Sequence, residues 1–275
     1  MDIIKHKNIS SAEGRILTTF MDKNKNWFTL PDVYLNFSEL AKSSLRVHLK
    51  NMIDDGLLLR VRDGIYYIIP FEYFSETFVP DWHLLVEPLT KAEHYIGYYS
   101  ALHIHNLITQ PSLIEQIVVN KQVQPANVTI RNIRFQYVYH NKKHFFGYEK
   151  MWIDNFNKVY CSDLEKTFVD CLFKPDYSCG IVEIGKALYK ARNRIDFEKL
   201  MKYVEMFSSI AVVKRLGLLL ELMDIPNPII PALQKKNTKT VILLDTILSK
   251  GGKINSRWGI QINIDTEEIK NSIYT

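Results

Sequence analysis

The chain has 275 residues, of which 47% are hydrophobic and 24% are charged, with a formal net charge of +5. This composition excludes wholesale disorder, because the chain has enough apolar surface to bury sizeable cores. No apolar run reaches the roughly 18–20 residues of a membrane span, so we expect no membrane partner and one or two globular domains.

Two short helices are predicted in the first forty residues. Ser10 and Glu13 have the spacing of a capping box, which predicts a helix to about Met21 with buried positions at Ile16, Leu17 and Phe20. Residues 27–29 form a short extended segment. Thr29 followed by Pro31 predicts the start of a second helix.

A third helix is predicted over 44–55, because its apolar residues recur at helical spacing along one stripe: Leu45, Leu49, Met52 and Ile53. Ser43 or Ser44 is the expected cap, and Gly56 can adopt the left-handed conformation that ends the helix. The remaining face carries polar and basic side chains, together with one valine: Arg46, Val47, His48, Lys50 and Asn51.

A β-hairpin is predicted next, because Asp63-Gly64 separates two β-prone runs and favours a type I′ turn. Arg60 and Arg62 are expected on one face of its first strand, opposite Leu57, Leu59 and Val61. A helix followed by a basic two-stranded wing is the plan of a winged helix-turn-helix. We therefore predict such a domain over 1–75.

The charge of this segment favours double-stranded DNA as its partner. Residues 1–75 contain ten Lys/Arg and nine Asp/Glu, whereas 40–62 contain five Lys/Arg and two Asp/Glu. The predicted DNA-binding residues are Lys42, Ser44, Arg46, His48, Lys50, Asn51, Arg60 and Arg62. Arg46 and Asn51 are the candidates for base edges, and the lysines for phosphates. The alternative is a small α+β module that binds protein through the same face.

Residues 76–90 contain two prolines and no sustained periodicity, so they are predicted to be a connection. The larger C-terminal domain, 91–275, is expected to be mixed α/β, which makes the whole chain α+β. It begins with a helix over 93–105, in which Gly97 indicates close packing. Strands follow at 114–120, 127–131, 133–140 and 145–152, with 141–143 as a hairpin tip.

The second half of this domain is predicted to be mainly helical. Ser162 and Glu165 form a capping-box pattern before a hydrophobic run, and Pro175 stops that helix. Three more helices are expected over 181–192, 196–207 and 210–223. The tail returns to β character at 240–244 and 259–264.

We predict no catalytic residue, no cofactor and no metal site. The cysteines, Cys161, Cys171 and Cys179, lack zinc-site spacing and are expected to be reduced thiols in a cytoplasmic protein. The pairs His103 with His105 and His140 with His144 are not expected to bind a metal. Asp163, Glu165 and Asp170 are interpreted as helix-start residues, and Cys171 as a small buried hydrophobe.

Two interpretations of a basic segment stay open. Nine Lys/Arg and five acidic residues lie between Lys174 and Arg215. They form either a second anion-binding surface or the solvated face of a helical bundle.

Several sequence blocks, in this order, resemble the AbiEi-type antitoxins, the regulator halves of type IV abortive-infection toxin–antitoxin systems. The blocks are GYYSAL at 97–102, SDLEKTFVDCL at 162–172, CGIVE at 179–183 and KRLGLLLE at 214–221. The resemblance implies a winged helix that binds inverted repeats in its own promoter and represses the operon. It also implies a C-terminal domain that counters a nucleotidyltransferase toxin without stable contact.

Three alternatives accompany this hypothesis. The chain could be a stand-alone winged-helix regulator without a toxin partner. It could neutralise a toxin by direct contact. It could also be an enzyme acting on nucleic acid or nucleotide, with Asp163 and Glu165 as its carboxylates and the winged helix as a targeting module.

Overall fold

The computed structural model describes residues 9–73, 78, 80–108, 110 and 112–274, and has an α+β fold. The chain divides into two compact units, 1–91 and 92–275. The predicted boundary at residues 75 and 76 lies outside the described residues. Among the helices described, none is both long and apolar enough to cross a membrane.

Over its described residues, the first unit contains four helices and a three-stranded antiparallel sheet. Its helices are α1 (Ser11–Met21), α2 (Leu30–Asn36), α3 (Lys42–Asp54) and α4 (Trp82–Leu89). Its strands are β1 (Trp27–Thr29), β2 (Leu58–Arg62) and β3 (Ile65–Ile68), in the order β1-β3-β2. Apolar side chains of α1, α2, α3 and the sheet share one core.

The predicted starts of the first two helices are confirmed. Ser10 and Glu13 form the capping box of α1 in both directions, and Ile16, Leu17 and Phe20 are buried. Thr29 forms a second capping box with Asp32 at the start of α2. Each box satisfies backbone N–H groups that the helix itself leaves unpaired.

The third helix is confirmed, but its predicted cap is wrong. Ser43 and Ser44 lie inside α3, and its N-cap is Ala41, which makes no side-chain cap bond. The helix starts earlier because Leu45 N already donates to Ala41 O. Gly56 has a φ of 71° and ends the helix in the left-handed conformation, as predicted.

The hairpin is confirmed, but its turn is not type I′. Within the described turn, Gly64 has positive φ and Asp63 does not, whereas type I′ requires both. The register also shifts between Arg60 and Arg62. This irregularity interrupts the predicted alternation at that point. Before it, the neighbours Leu57 and Leu58 are both buried, so the apolar side chains are not confined to one face as predicted.

The connection predicted over 76–90 includes a regular element, which the periodicity did not indicate. This element is α4, capped by Asp81, whose side chain accepts from His83 N. The helix contains Pro88 near its C-terminal end, and it belongs to the first compact unit.

The second unit contains a six-stranded mixed sheet, a helical layer and a small C-terminal sheet. The large sheet comprises β4 (His94–Ile96), β5 (Ile114–Val119), β6 (Asn127–Ile130), β7 (Ile133–Tyr139), β8 (Tyr148–Trp152) and β9 (Lys158–Ser162), in the order β6-β7-β5-β4-β9-β8. The helices are α5 (Tyr98–Ile104), α6 (Leu164–Phe173), α7 (Ile181–Ala191), α8 (Phe197–Phe207), α9 (Ile210–Leu222), α10 (Ile230–Lys236) and α11 (Thr266–Asn271). The small sheet joins β10 (Ile242–Leu243), β11 (Ile254–Asn255) and β12 (Ile260–Gln261), in the order β10-β12-β11. Two 3-10 helices, Pro175–Ser178 and Ser272–Tyr274, complete the unit.

The helix predicted over 93–105 is wrong in its first half, where β4 lies between β5 and β9. Gly97 separates β4 from α5. A Cβ added there would lie 2.7 Å from Val118 Cγ2, so glycine allows the close packing that the sequence indicated. Tertiary pairing with two strands has overridden the helical pattern.

Two further local predictions are corrected. Residues 141–143 are not a hairpin tip, because β7 and β8 lie at separate positions in the sheet and do not pair. The N-cap of α6 is Asp163, which accepts from Lys166 N, and not Ser162. Ser162 ends β9 instead, and its hydroxyl bonds with Thr167 Oγ1 at 2.7 Å. The helices α7, α8 and α9 lie where they were predicted.

Candidate nucleic-acid interface

The eight predicted DNA-binding residues all lie in the first unit, on α3 and β2. Six of them belong to α3: Lys42, Ser44, Arg46, His48, Lys50 and Asn51. Arg60 and Arg62 belong to β2, and both are exposed. The structure therefore places the whole set on two neighbouring elements in the chain, which also pack against each other.

The outward side of α3 combines polar, basic and apolar groups. Leu45, Leu49 and Met52 are buried on the inner side. Lys50 and Asn51 are exposed on the outer side, together with Val47, which is 57% exposed. Such a surface suits the major groove, where cations meet phosphates, amides meet base edges, and apolar groups contact the thymine methyl.

Tyr34 of α2 organises one flank of this surface. Arg46 Nε donates to the Tyr34 hydroxyl at 2.7 Å. The Lys42 ammonium lies 5.1 Å from the centroid of the same ring. One tyrosine thus holds two cations of α3 close together. Sequence reasoning missed Tyr34, because the pairing joins two helices that no local pattern connects.

The hairpin contributes to the same region through Tyr66. Burial raises the pKa of Tyr66, and the positive charges of Arg60 and Arg46 oppose that rise. Arg60 and Arg46 therefore both lie within electrostatic reach of one phenol. The hairpin turn also contacts the start of α2, since Leu30 N donates to Gly64 O at 2.8 Å.

Two details reduce the predicted set. His48 lies on the opposite flank of α3 from Arg46, since two positions turn a helix by about 200°. Its Nδ1 lies 3.4 Å from Glu13 Oε1, in the capping box of α1, so its contact is with the protein. Asp63, which directly follows the basic segment 40–62, pairs with Arg60 and partly offsets its charge. Arg46, Lys50, Asn51 and Arg62 are the strongest remaining candidates.

The carboxylates considered for catalysis are engaged elsewhere. Asp163 caps α6 and also accepts from the Tyr203 hydroxyl at 2.8 Å. Glu165 accepts from Asp196 N at 3.0 Å and pairs with Lys199 at 2.8 Å. Both therefore join α6 to α8, which agrees with the structural interpretation of these two residues.

Asp170 differs from the prediction, because it lies near the end of α6 and not at its start. It forms a buried ion pair with Lys166, and it accepts from the Tyr95 hydroxyl at 3.0 Å. His140 Nε2 lies 2.7 Å from the Tyr98 hydroxyl in the same buried region. Burial lowers the pKa of Lys166, with Asp170 opposing that effect, and burial raises the pKa of Tyr95.

Every side chain in this cluster of Tyr95, Tyr98, His140, Lys166 and Asp170 is almost completely buried. Over the described part of the chain, no group of three or more His, Cys, Asp or Glu has metal-site geometry. The arrangement therefore supports a role in holding the sheet to α6.

Two of the nine cations in the basic segment 174–215, Lys214 and Arg215, are buried, so these two belong neither to a solvated face nor to an anion-binding surface. Lys214 Nζ donates to Thr238 O at 2.8 Å and to Trp258 O at 2.7 Å. The Arg215 guanidinium donates to four backbone carbonyls, those of Leu172, Phe173, Leu243 and Leu244. These two residues tie α9 to α6 and to the small sheet.

No family model matches the sequence, and no curated protein matches it. Among solved structures, the fold is similar to that of the RV2827C protein from Mycobacterium tuberculosis, with a TM-score of 0.69. The similarity covers 98% of this chain and 97% of that chain, at 14% sequence identity. It shows a shared α+β fold over nearly the whole length, and at this identity it shows the fold alone.

Proposed function

We propose that the chain is a DNA-binding transcriptional regulator, with α3 as the helix that enters the major groove and β2–β3 as the wing of a winged helix-turn-helix. The observation that carries this proposal is the exposed polar and basic side of α3, where Tyr34 holds Arg46 in place, together with the packing of α3 against the basic strand β2. A groove-binding helix flanked by a basic hairpin fits a duplex in both shape and charge.

The contacts divide into two classes. Arg46 and Asn51 are the candidates for base edges, because Arg pairs bidentately with guanine and Asn with adenine. Lys42, Lys50, Arg60 and Arg62 are the candidates for phosphates, which position the protein without specifying sequence. Lys50 and Arg62 are exposed and are the simplest test of the phosphate class.

The biological setting of the proposal comes from the AbiEi resemblance. It supports binding to inverted repeats in the chain's own promoter, repression of that operon, and an antitoxin role of the C-terminal unit against a nucleotidyltransferase toxin without stable contact. A stand-alone regulator has the same DNA-binding surface and differs only in the absence of a toxin encoded alongside.

The test is a titration of the full chain against duplexes selected from random sequence, at several salt concentrations. Lys50→Ala should weaken binding to all sequences and flatten the salt slope by about one unit. Arg46→Ala should relax specificity by roughly 1–3 kcal/mol at one base pair. Lys202→Ala, which removes an exposed lysine from α8, is the matched control and should bind as the wild type does. Unchanged affinity in Arg46→Ala and Arg60→Ala would refute this assignment of the interface.

The antitoxin role has a separate test. Co-expression with a nucleotidyltransferase encoded in the same operon should restore growth without stoichiometric co-purification. Co-purification at equal amounts would favour neutralisation by contact instead.

A further inference from the structure

A second surface, in the other compact unit, combines exposed aromatic rings with unpaired cations. It is formed by β8 and β9, at the edge of the six-stranded sheet. The register places Lys150 opposite Tyr160, and Trp152 opposite Lys158. Since side chains alternate along a strand, all four project from the same face of the hairpin. We call them the β8–β9 face.

The rings of this face are open to solvent. Trp152 is 59% exposed and Tyr160 is 38% exposed. Clustered exposed aromatic groups mark interaction sites on protein surfaces more often than isolated ones do. The two rings occupy diagonal positions, which in an antiparallel pair are about 7–8 Å apart.

The cations lie over the rings and have no carboxylate partner within the described chain. Lys158 Nζ lies 4.2 Å from the centroid of Trp152, and Lys150 Nζ lies 5.2 Å from the centroid of Tyr160. At the inner end of the same face, Glu93 accepts from the Tyr148 hydroxyl at 2.6 Å and from Asn120 Nδ2 at 2.7 Å. The outer part of the face is therefore aromatic and positively charged.

The hairpin tip extends the aromatic surface. Phe156 is 87% exposed. Asp154 accepts from Phe156 N at 2.7 Å and from Asn157 N at 2.6 Å, so the tip has a defined conformation. A third ring is thus available beyond Trp152.

We propose that the β8–β9 face binds single-stranded nucleic acid, with bases stacked on Trp152 and Tyr160 and phosphates paired with Lys150 and Lys158. Alternating rings and cations match a strand that presents unpaired bases and a charged backbone. A stacking platform of two or three aromatic groups on a sheet binds two or three bases. This site is separate from α3 and does not depend on the proposed binding of duplex DNA.

The test uses the full chain and fluorescein-labelled oligonucleotides, twelve deoxythymidines or twelve uridines, followed by fluorescence anisotropy. Trp152→Ala should weaken binding about tenfold or more, because stacking contributes strongly at each base. Trp152→Phe keeps a stacking ring and should stay close to wild type. Tyr139→Ala is the matched control, since Tyr139 is 45% exposed on β7 of the same sheet, and it should have no effect.

Salt dependence tests the phosphate contacts. The double variant Lys150→Gln and Lys158→Gln should flatten the salt slope by about 1.4, at about 0.7 for each phosphate contact on a single strand. Circular dichroism checks that each variant is folded. Tighter binding of one of the two oligonucleotides would support the proposal and identify DNA or RNA as the preferred ligand.

Three results would overturn the proposal. The first is equal affinity of wild type and Trp152→Ala for both oligonucleotides. The second is that Trp152→Leu binds as well as Trp152→Phe, which would indicate a general apolar contact, as with a protein partner. A loss in Trp152→Ala that is equally large for a duplex of the same length would also contradict a single-strand site.

Discussion

Arg46 Nε donates to the Tyr34 hydroxyl at 2.7 Å, and this bond joins the exposed side of α3 to α2. It restricts the arginine side chain while its two terminal nitrogens form no hydrogen bond with any described residue. Those nitrogens are the donors that a bidentate contact to guanine would use. Tyr34 is therefore a positioning residue for the proposed base contact.

Tyr34→Phe should lower the affinity for a selected duplex by about 0.5–1.5 kcal/mol, the cost of immobilising one long side chain on binding. The loss should disappear when Arg46 is already alanine, because Tyr34 acts through that residue. Anisotropy titrations of the four proteins in this double-mutant cycle measure the coupling. Additive losses would show that Tyr34 acts independently.

His140 should make the stability of the chain dependent on pH. Burial lowers its pKa to about 4, with Asp170 opposing that shift and Lys166 and Lys174 adding to it. An unfolded histidine has a pKa of about 6.5, so between these values the unfolded chain takes up a proton that the folded chain does not. Its contribution is fully present above about pH 6.5 and is lost as the pH falls to about 4.

The measurement is urea unfolding of wild type and His140→Gln at several pH values between 4 and 7. The wild-type free energy of unfolding should fall more steeply with decreasing pH, by up to about 1.4 kcal/mol per pH unit for this one proton. Equal slopes in the two proteins would show that His140 does not carry this dependence.

Removal of one member of the Lys166–Asp170 pair should lower the free energy of unfolding much more than replacement of both members together. Both side chains are fully buried, and Lys166 Nζ also donates to the Tyr95 hydroxyl at 2.9 Å. Lys166→Met leaves Asp170 uncompensated and should destabilise by about 3–5 kcal/mol. The double variant Lys166→Met and Asp170→Leu should recover much of that loss, as measured by urea unfolding.

The exposed pair Lys270 and Glu267 provides the control for this prediction. Lys270→Met should leave the free energy of unfolding nearly unchanged, since water screens an exposed pair. If Lys166→Met and Lys270→Met lower the free energy of unfolding by similar amounts, burial does not determine the contribution of the Lys166–Asp170 pair.

Gly217 should not tolerate a side chain. A Cβ at this position of α9 would lie 2.0 Å from Cη2 of Trp258, which is fully buried. Gly217→Ala should destabilise by about 1–3 kcal/mol or more, because the indole has to move within a packed core. Gly251→Ala is the matched control, since no atom lies within 4 Å of its added Cβ. The midpoint of thermal unfolding should therefore be lower for Gly217→Ala than for Gly251→Ala and wild type.

The sequence was most informative where the deciding interactions are local. The capping boxes at Ser10 and Thr29 and the left-handed Gly56 involve residues within one turn of each other. The amphipathic helices α7 and α8 lie where they were predicted for the same reason, because one apolar stripe is enough to define a helix.

Part of the candidate DNA-binding surface was also predictable. The helical spacing of Leu45, Leu49 and Met52 defines the buried side of α3, and with it the exposed side, whatever the rest of the fold. The sequence could not predict which residues contact Arg46 and His48 on the two flanks of α3, because Tyr34 lies on α2 and Glu13 lies on α1. Those contacts hold Arg46 at the proposed interface and direct His48 towards Glu13 on the opposite flank of α3.

By itself, then, the sequence determined the helix periods, the N-caps of α1 and α2 and the outward basic side of α3, since these depend on neighbours within about four residues. Only the tertiary structure decided that 94–96 is a strand, that Lys214 and Arg215 are buried, and that Arg46 is held by Tyr34. The physical reason is distance along the chain. Backbone pairing with another strand, carbonyls that accept from a buried cation, and a phenol on another helix all come from residues that local patterns do not connect.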